Sequence, residues 1–187
     1  ITGQTASSNF PVKNAIQGTL VAGAEIFVSE FDPTKTGDDA LISSTFITGG
    51  ANDYARSIAV DAQGKVYIAG ITYSPGLPTT ANAFQGDYLD GGEGFLLKLD
   101  LEAQTVLYGT YLRGSGYDEI KKVIVEPSGR VALTGYTMSA DFPVTQDAYQ
   151  PQLNGIANAF LTIVDPSKSG LDALAYSTYF GGSNAEV

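Results

Sequence analysis

The chain has 187 residues, 43% of them hydrophobic and 16% charged, with 22 Gly, 11 Tyr and 9 Phe, a turn-rich and aromatic composition that favours short strands over helices. Ten basic residues against twenty acidic ones give a formal charge of −10, which repels a phosphate backbone and argues against nucleic acid as a partner. The absence of His and Cys removes imidazole bases, Ser-His-Asp hydrolysis, cysteine nucleophiles, disulfides and zinc-thiolate sites.

The first segment, ITGQTASSNFP at Ile1 to Pro11, returns as IAGITYSPGLP at Ile68 to Pro78 and as LTGYTMSADFP at Leu133 to Pro143. This is one phrase written three times at a spacing of about 65 residues, the period of an internal repeat. Gly3, Gly70 and Gly135 align, as do Thr5, Thr72 and Thr137, and then Ser7, Ser74 and Ser139. The register continues through Gln17, Gln85 and Gln150, through Phe27, Phe95 and Phe160, and through the pairs Thr45-Phe46, Thr110-Tyr111 and Thr178-Tyr179. A glycine follows each pair at Gly49, Gly114 and Gly182, with an acidic residue four further on at Asp53, Asp118 and Glu186.

Within the second unit the runs Ser57 to Asp61, Lys65 to Thr72, Gly94 to Asp100 and Thr105 to Leu112 read as four strands by their β-branched and aromatic content. DAQG at Asp61 to Gly64 and EPSG at Glu126 to Gly129 place Gly where a tight hairpin needs a left-handed backbone. Four antiparallel strands per repeat, with no helix between repeats, predict an all-β fold of β-propeller blades. The units run approximately 1–50, 51–114 and 115–187 of one propeller segment, the first lacking its first strand. Three blades cannot close a ring that needs roughly four to eight, so further blades are expected from the same chain or from another copy. Ile1 falls in the middle of a strand, and Val187 falls where another first strand is expected to begin.

GYTMSADFPVTQDAYQ, AFLTIVD and YSTYFGG resemble the bacterial SBBP repeat, a family named for seven-bladed β-propellers, and the resemblance covers nearly the whole chain. It implies a propeller fold, a bacterial origin and an extracellular or cell-surface location. The first unit departs by lacking one residue before Ala15, and the second by carrying Leu77 where the others have Phe10 and Phe142.

Two acidic stretches are candidates for chemistry. DPTKTGDDAL and DPSKSGLDAL offer Asp32, Asp38, Asp39, Asp165 and Asp172 as oxygen ligands of a kind that suits calcium, although Thr34, Thr36, Ser167 and Ser169 stand where a full calcium loop alternates carboxylates. A hairpin loop built on Pro and Gly turn chemistry is the favoured reading, so no cofactor is expected. GDYLDGGEGF at Gly86 to Phe95 brings Asp87, Asp90 and Glu93 close in sequence, as paired carboxylates for glycoside chemistry would be. Clusters of this kind in an acidic chain are usually solvated loops. The glycines of DGGEG and FGGSN lack a following Lys at phosphate-loop spacing, and Lys168 lies in an expected exposed loop. Phe142-Pro143 and Tyr149-Gln150 could stack a sugar ring, but their recurrence argues for packing.

The expectation is therefore a non-catalytic, extracytoplasmic scaffold or binding module with a protein or glycan partner. A carbohydrate-active propeller enzyme and a calcium-stabilised adhesion module are the alternatives. No stretch of roughly eighteen apolar residues is present to span a membrane.

Overall fold

A computed structural model describes residues 1–21 and 23–186; the strand start expected at Val187 lies outside the described residues. Eleven strands are present among them: β1 (Thr2–Thr5), β2 (Glu25–Phe31), β3 (Leu41–Ile47), β4 (Asp53–Val60), β5 (Val66–Thr72), β6 (Glu93–Asp100), β7 (Thr105–Leu112), β8 (Asp118–Val125), β9 (Val131–Thr137), β10 (Asn158–Val164) and β11 (Leu174–Phe180). They form three antiparallel meanders, β1-β2-β3, then β4 to β7, then β8 to β11. The fold is all-β, with one sheet per sequence repeat.

The hairpin glycines behave as their turns require. Gly64 has φ 76° and Gly129 has φ 85°, left-handed conformations that cost other residues energy. Among the described residues no helix is long and apolar enough to cross a membrane. In the first and third units the connection between the last two strands carries a 3-10 turn, at Gly37–Ala40 and Gly170–Ala173.

Strand burial reveals the layering. Every residue of β5 is buried, whereas β10 alternates between buried and more open positions. A strand covered on both faces loses the alternation that a strand covered on one face keeps. The middle sheet is accordingly sandwiched: Ile26, Val28 and Ile47 of the first sheet pack with Ile68, Phe95 and Leu97 of the second. On its opposite face Tyr67, Leu96 and Leu112 meet Ile120, Phe160 and Leu133 of the third sheet. Strand β4 lies against β1 and β2, and β8 against β4, β5 and β6, so each sheet meets its predecessor chiefly through its own first strand.

The first strand of the second sheet starts at Asp53 rather than at the expected Ser57. A β-bulge between Ala55 and Ser57 leaves Arg56 out of the ladder, and the same irregularity between Ile120 and Lys122 leaves Lys121 out of β8. One extra residue breaks the two-residue period by which a strand is recognised. The bulges also explain the repeated glycine: a Cβ on Gly70 would sit 2.0 Å from the Tyr54 carbonyl oxygen, and one on Gly135 would sit 1.9 Å from that of Glu119.

Gly135→Ala is therefore expected to cost about 2 to 3 kcal/mol by forcing the bulged edge strand away from β9. Gly86, with open space around it, is expected to accept Ala within about 0.5 kcal/mol. Denaturant unfolding of the two variants measures the contrast, and equal losses would refute the role given to the bulge.

Candidate functional site

Most of the repeated polar residues are consumed by the fold. Asp53 is fully buried at the crossing from the first sheet to the second. Its carboxylate accepts hydrogen bonds from Thr72 Oγ1 at 2.5 Å, Ser74 Oγ at 3.0 Å and the Gly49 amide at 3.0 Å. Asp118 repeats the arrangement with Thr137, with Ser139 Oγ at 2.9 Å and with the Gly114 amide at 2.7 Å. In the third unit Glu186 takes the Gly182 amide at 3.1 Å and Asn158 Nδ2 at 3.0 Å. Each of these acidic positions thus accepts a backbone amide, with the repeated Thr and Ser as further donors to Asp53 and Asp118. The partner glycines are needed for close approach: a Cβ on Gly49 or Gly114 would lie 2.3 or 2.4 Å from the Cβ of Ser74 or Ser139.

Burial, which disfavours a charge, pushes the Asp53 and Asp118 carboxyls above their usual range despite these donors. The repeated glutamines have a second structural task. The amides of Gln17, Gln85 and Gln150 donate to Thr45, Thr110 and Thr178 Oγ1, while their side-chain oxygens accept from the amides of Thr48, Arg113 and Gly181. Each connecting segment is thereby tied along the last strand of its sheet.

The candidate calcium ligands are dispersed among local turns. Asp32 Oδ1 accepts from the Thr34 amide and hydroxyl, and Asp165 Oδ1 does the same with Ser167. These hydrogen bonds hold both carboxyls below the usual range. Asp38 and Asp39 lie in the first 3-10 turn and Asp172 in the second. Among the described residues no group of three or more acidic side chains is placed to hold a metal ion.

The glycoside candidates separate by burial. Asp87 and Asp90 are exposed, but Glu93 opens β6 and is fully buried. It accepts the Leu89 amide at 2.5 Å and the Asp90 amide at 3.2 Å, and pairs with Arg113 at 3.3 Å, which spends it on closing its own loop. Phe142 is buried against Phe160 and Tyr179, as packing requires, while Tyr149 is 76% exposed. Lys168 lies exposed as expected.

A cluster that the sequence reading did not single out forms where β4 and β8 converge. Glu119, only 2% exposed, accepts Arg56 Nε at 2.6 Å, Lys121 Nζ at 2.9 Å and Tyr117 OH at 2.9 Å. Arg56 lies 5.4 Å from the Tyr54 ring centre and Lys121 lies 5.2 Å from that of Tyr136. Tyr117 stacks on Tyr136 at 5.5 Å, and Tyr54 meets Tyr73 edge-on at 6.3 Å. The backbone of Gly92, at φ 97°, joins the two pairs, since a Cβ there would be 2.9 Å from Tyr73 and 3.2 Å from Tyr117. Burial opposes ionisation of Glu119, but hydrogen bonds from Lys121, Arg56 and Tyr117 outweigh it and hold the carboxyl below its usual range. The Tyr117 hydroxyl is pushed well up, first by burial and then by its bonds to Tyr136 and Glu119.

No family model matches this chain, and no curated protein matches it. The geometry alone therefore separates the repeated polar residues, which hold sheets together, from the unrepeated ones around Glu119.

Asp118→Ala is expected to cost about 3 kcal/mol by stranding buried donors, and Asp118→Asn less. Because the folded carboxyl of Asp118 is raised, its contribution is full below the unfolded carboxyl range and fades as pH rises through the folded value. The penalty of Asp118→Asn should thus be greatest below about pH 4 and narrow toward neutrality. Unfolding curves for both proteins across that interval measure it, and a penalty that grows with pH would contradict the assignment.

Proposed function

We propose that the three sheets are blades of a β-propeller that works as a non-catalytic scaffold or binding module outside a bacterial cell. The observation that carries the propeller reading is the difference in exposure between equivalent residues of the second and third sheets. Phe84, Leu96 and Leu112 of the second unit are 8%, 0% and 0% exposed, beneath the third sheet. Their counterparts Tyr149, Leu161 and Phe180 are 76%, 41% and 63% exposed. An apolar face of this extent on a water-soluble protein marks a surface built to be covered. The two sheet interfaces already present supply the pattern for the cover, namely the preceding face of another sheet of the same repeat.

The resemblance to the SBBP repeat supports both the propeller and the extracytoplasmic location. A non-catalytic role is supported by the use of Asp53, Asp118 and Glu93 as buried structural acceptors. A binding role is supported by the cluster at Glu119, because residues that hold the fold recur whereas Tyr117, Glu119 and Tyr136 do not.

Electron-microscope images of the native protein test the arrangement. A ring of sheets about an axis is expected, with Leu161 and Phe180 within it, and Leu161→Asp with Phe180→Asp should open or destabilise that ring. Isolated three-sheet wedges at all concentrations would overturn the propeller reading. A chelator is expected to leave the melting temperature unchanged, and a clear fall would favour a calcium-stabilised module.

A further inference from the structure

The polar residues of the repeat divide into two groups. The first recurs in each unit and is bonded within the fold; the second appears once. At equivalent places the second and third units carry Asn52 and Tyr117, Tyr54 and Glu119, Ile71 and Tyr136, and Tyr73 and Met138. Those departures from the repeat meet in space around a single buried carboxylate, which a purely structural array has no need to assemble.

Cations occupy the bulged position in both sheets, Arg56 in β4 and Lys121 in β8. Bulges re-aim side chains and are frequent beside functional sites. Both cations converge on Glu119, so two positive groups face one negative group in a chain whose formal charge is −10. Arg56 is engaged through Nε alone and its side chain is 38% exposed, while that of Lys121 is 48% exposed. The terminal guanidinium nitrogens have no hydrogen-bond acceptor among the described residues, leaving donors in the fork geometry that suits a carboxylate. The guanidinium lies over the Tyr54 ring, which meets Tyr73 edge-on, and Tyr73 is 38% exposed.

We infer that this cluster binds a short saccharide bearing a carboxylate, with the sugar's apolar face against the exposed Tyr73 ring and its carboxylate on Arg56 and Lys121. This deepens the binding-module reading and rests on it. Aromatic side chains offer an apolar body with a polar tip, the combination a pyranose presents in return. An extended peptide adding to the β4 or β8 edge fits less well, because the bulges at Arg56 and Lys121 interrupt the ladder such a strand would extend. A long polyanion fits less well again, since the rest of the chain repels it.

The test compares cellobiouronate with cellobiose, which differ by one carboxylate, using ring signals of labelled tyrosines in the native protein. Saturable shifts at Tyr73, Tyr117 and Tyr136 are expected with cellobiouronate, and cellobiose should bind about tenfold more weakly. Arg56→Gln and Tyr73→Ala should each weaken binding by about tenfold with the melting temperature retained. Equal binding of the two sugars would overturn the carboxylate's part. No saturable shift at these tyrosines would overturn the site, while ring images of the same preparation would leave the propeller reading standing.

Discussion

A buried carboxylate at each crossing between sheets is the constraint from which the rest of the arrangement follows. The chain leaves one sheet through a glycine and enters the next four residues later at Asp53 or Asp118. That acid accepts the glycine amide of the sheet just completed and two hydroxyls of the sheet just begun. The close approach excludes a Cβ on the glycine, and the low exposure of the acid demands that its oxygens be satisfied. Gly, Asp, Thr and Ser must consequently recur together. The apolar faces on either side can then stack in a constant register.

This linkage explains which features were legible in the sequence. Gly49 with Asp53 and Gly114 with Asp118 were visible because every crossing repeats the same hydrogen bonds, and four strands per unit were visible because most of each strand keeps its β-rich composition. The start of β4 was not, since the bulge at Arg56 inserts a residue and destroys alternation where Asp53 to Arg56 would otherwise read as strand. Glu93 was misread for a related reason. In sequence it belongs to an acidic loop, but it is the first residue of β6, and its exposure falls to zero because the loop folds back to donate two amides to it.

The cluster around Glu119 was hidden by distance. Arg56 and Glu119 are 63 residues apart, almost one repeat, so only the stacking of β8 on β4 brings them together. The signal that could have found them is negative: Tyr117, Glu119 and Tyr136 are places where a strongly repeated sequence stops matching itself. Repetition shows what the fold requires, and the mismatches show where the fold leaves a choice. Arg56 and Lys121 are intermediate, because the cationic character at the bulge is shared while its neighbours are not.

Burial of Glu119 bears on why such a choice would be kept. A lone ionised carboxylate at 2% exposure is expensive, and it stays charged here because Arg56, Lys121 and Tyr117 all bond it. A well-packed apolar residue at that place often serves stability as well as a buried ion pair or better, and Leu96 and Leu133 at the same interface show that apolar packing is accessible there. Stability alone is thus a weak account of the cluster. What Glu119 does provide is position: it draws two long, flexible cations to fixed places beside the tyrosines, which lowers the entropy cost of ordering them when a ligand arrives. The same carboxylate also limits net positive charge at the patch, so attraction is confined to a ligand that fits the exposed guanidinium and the Tyr73 ring together.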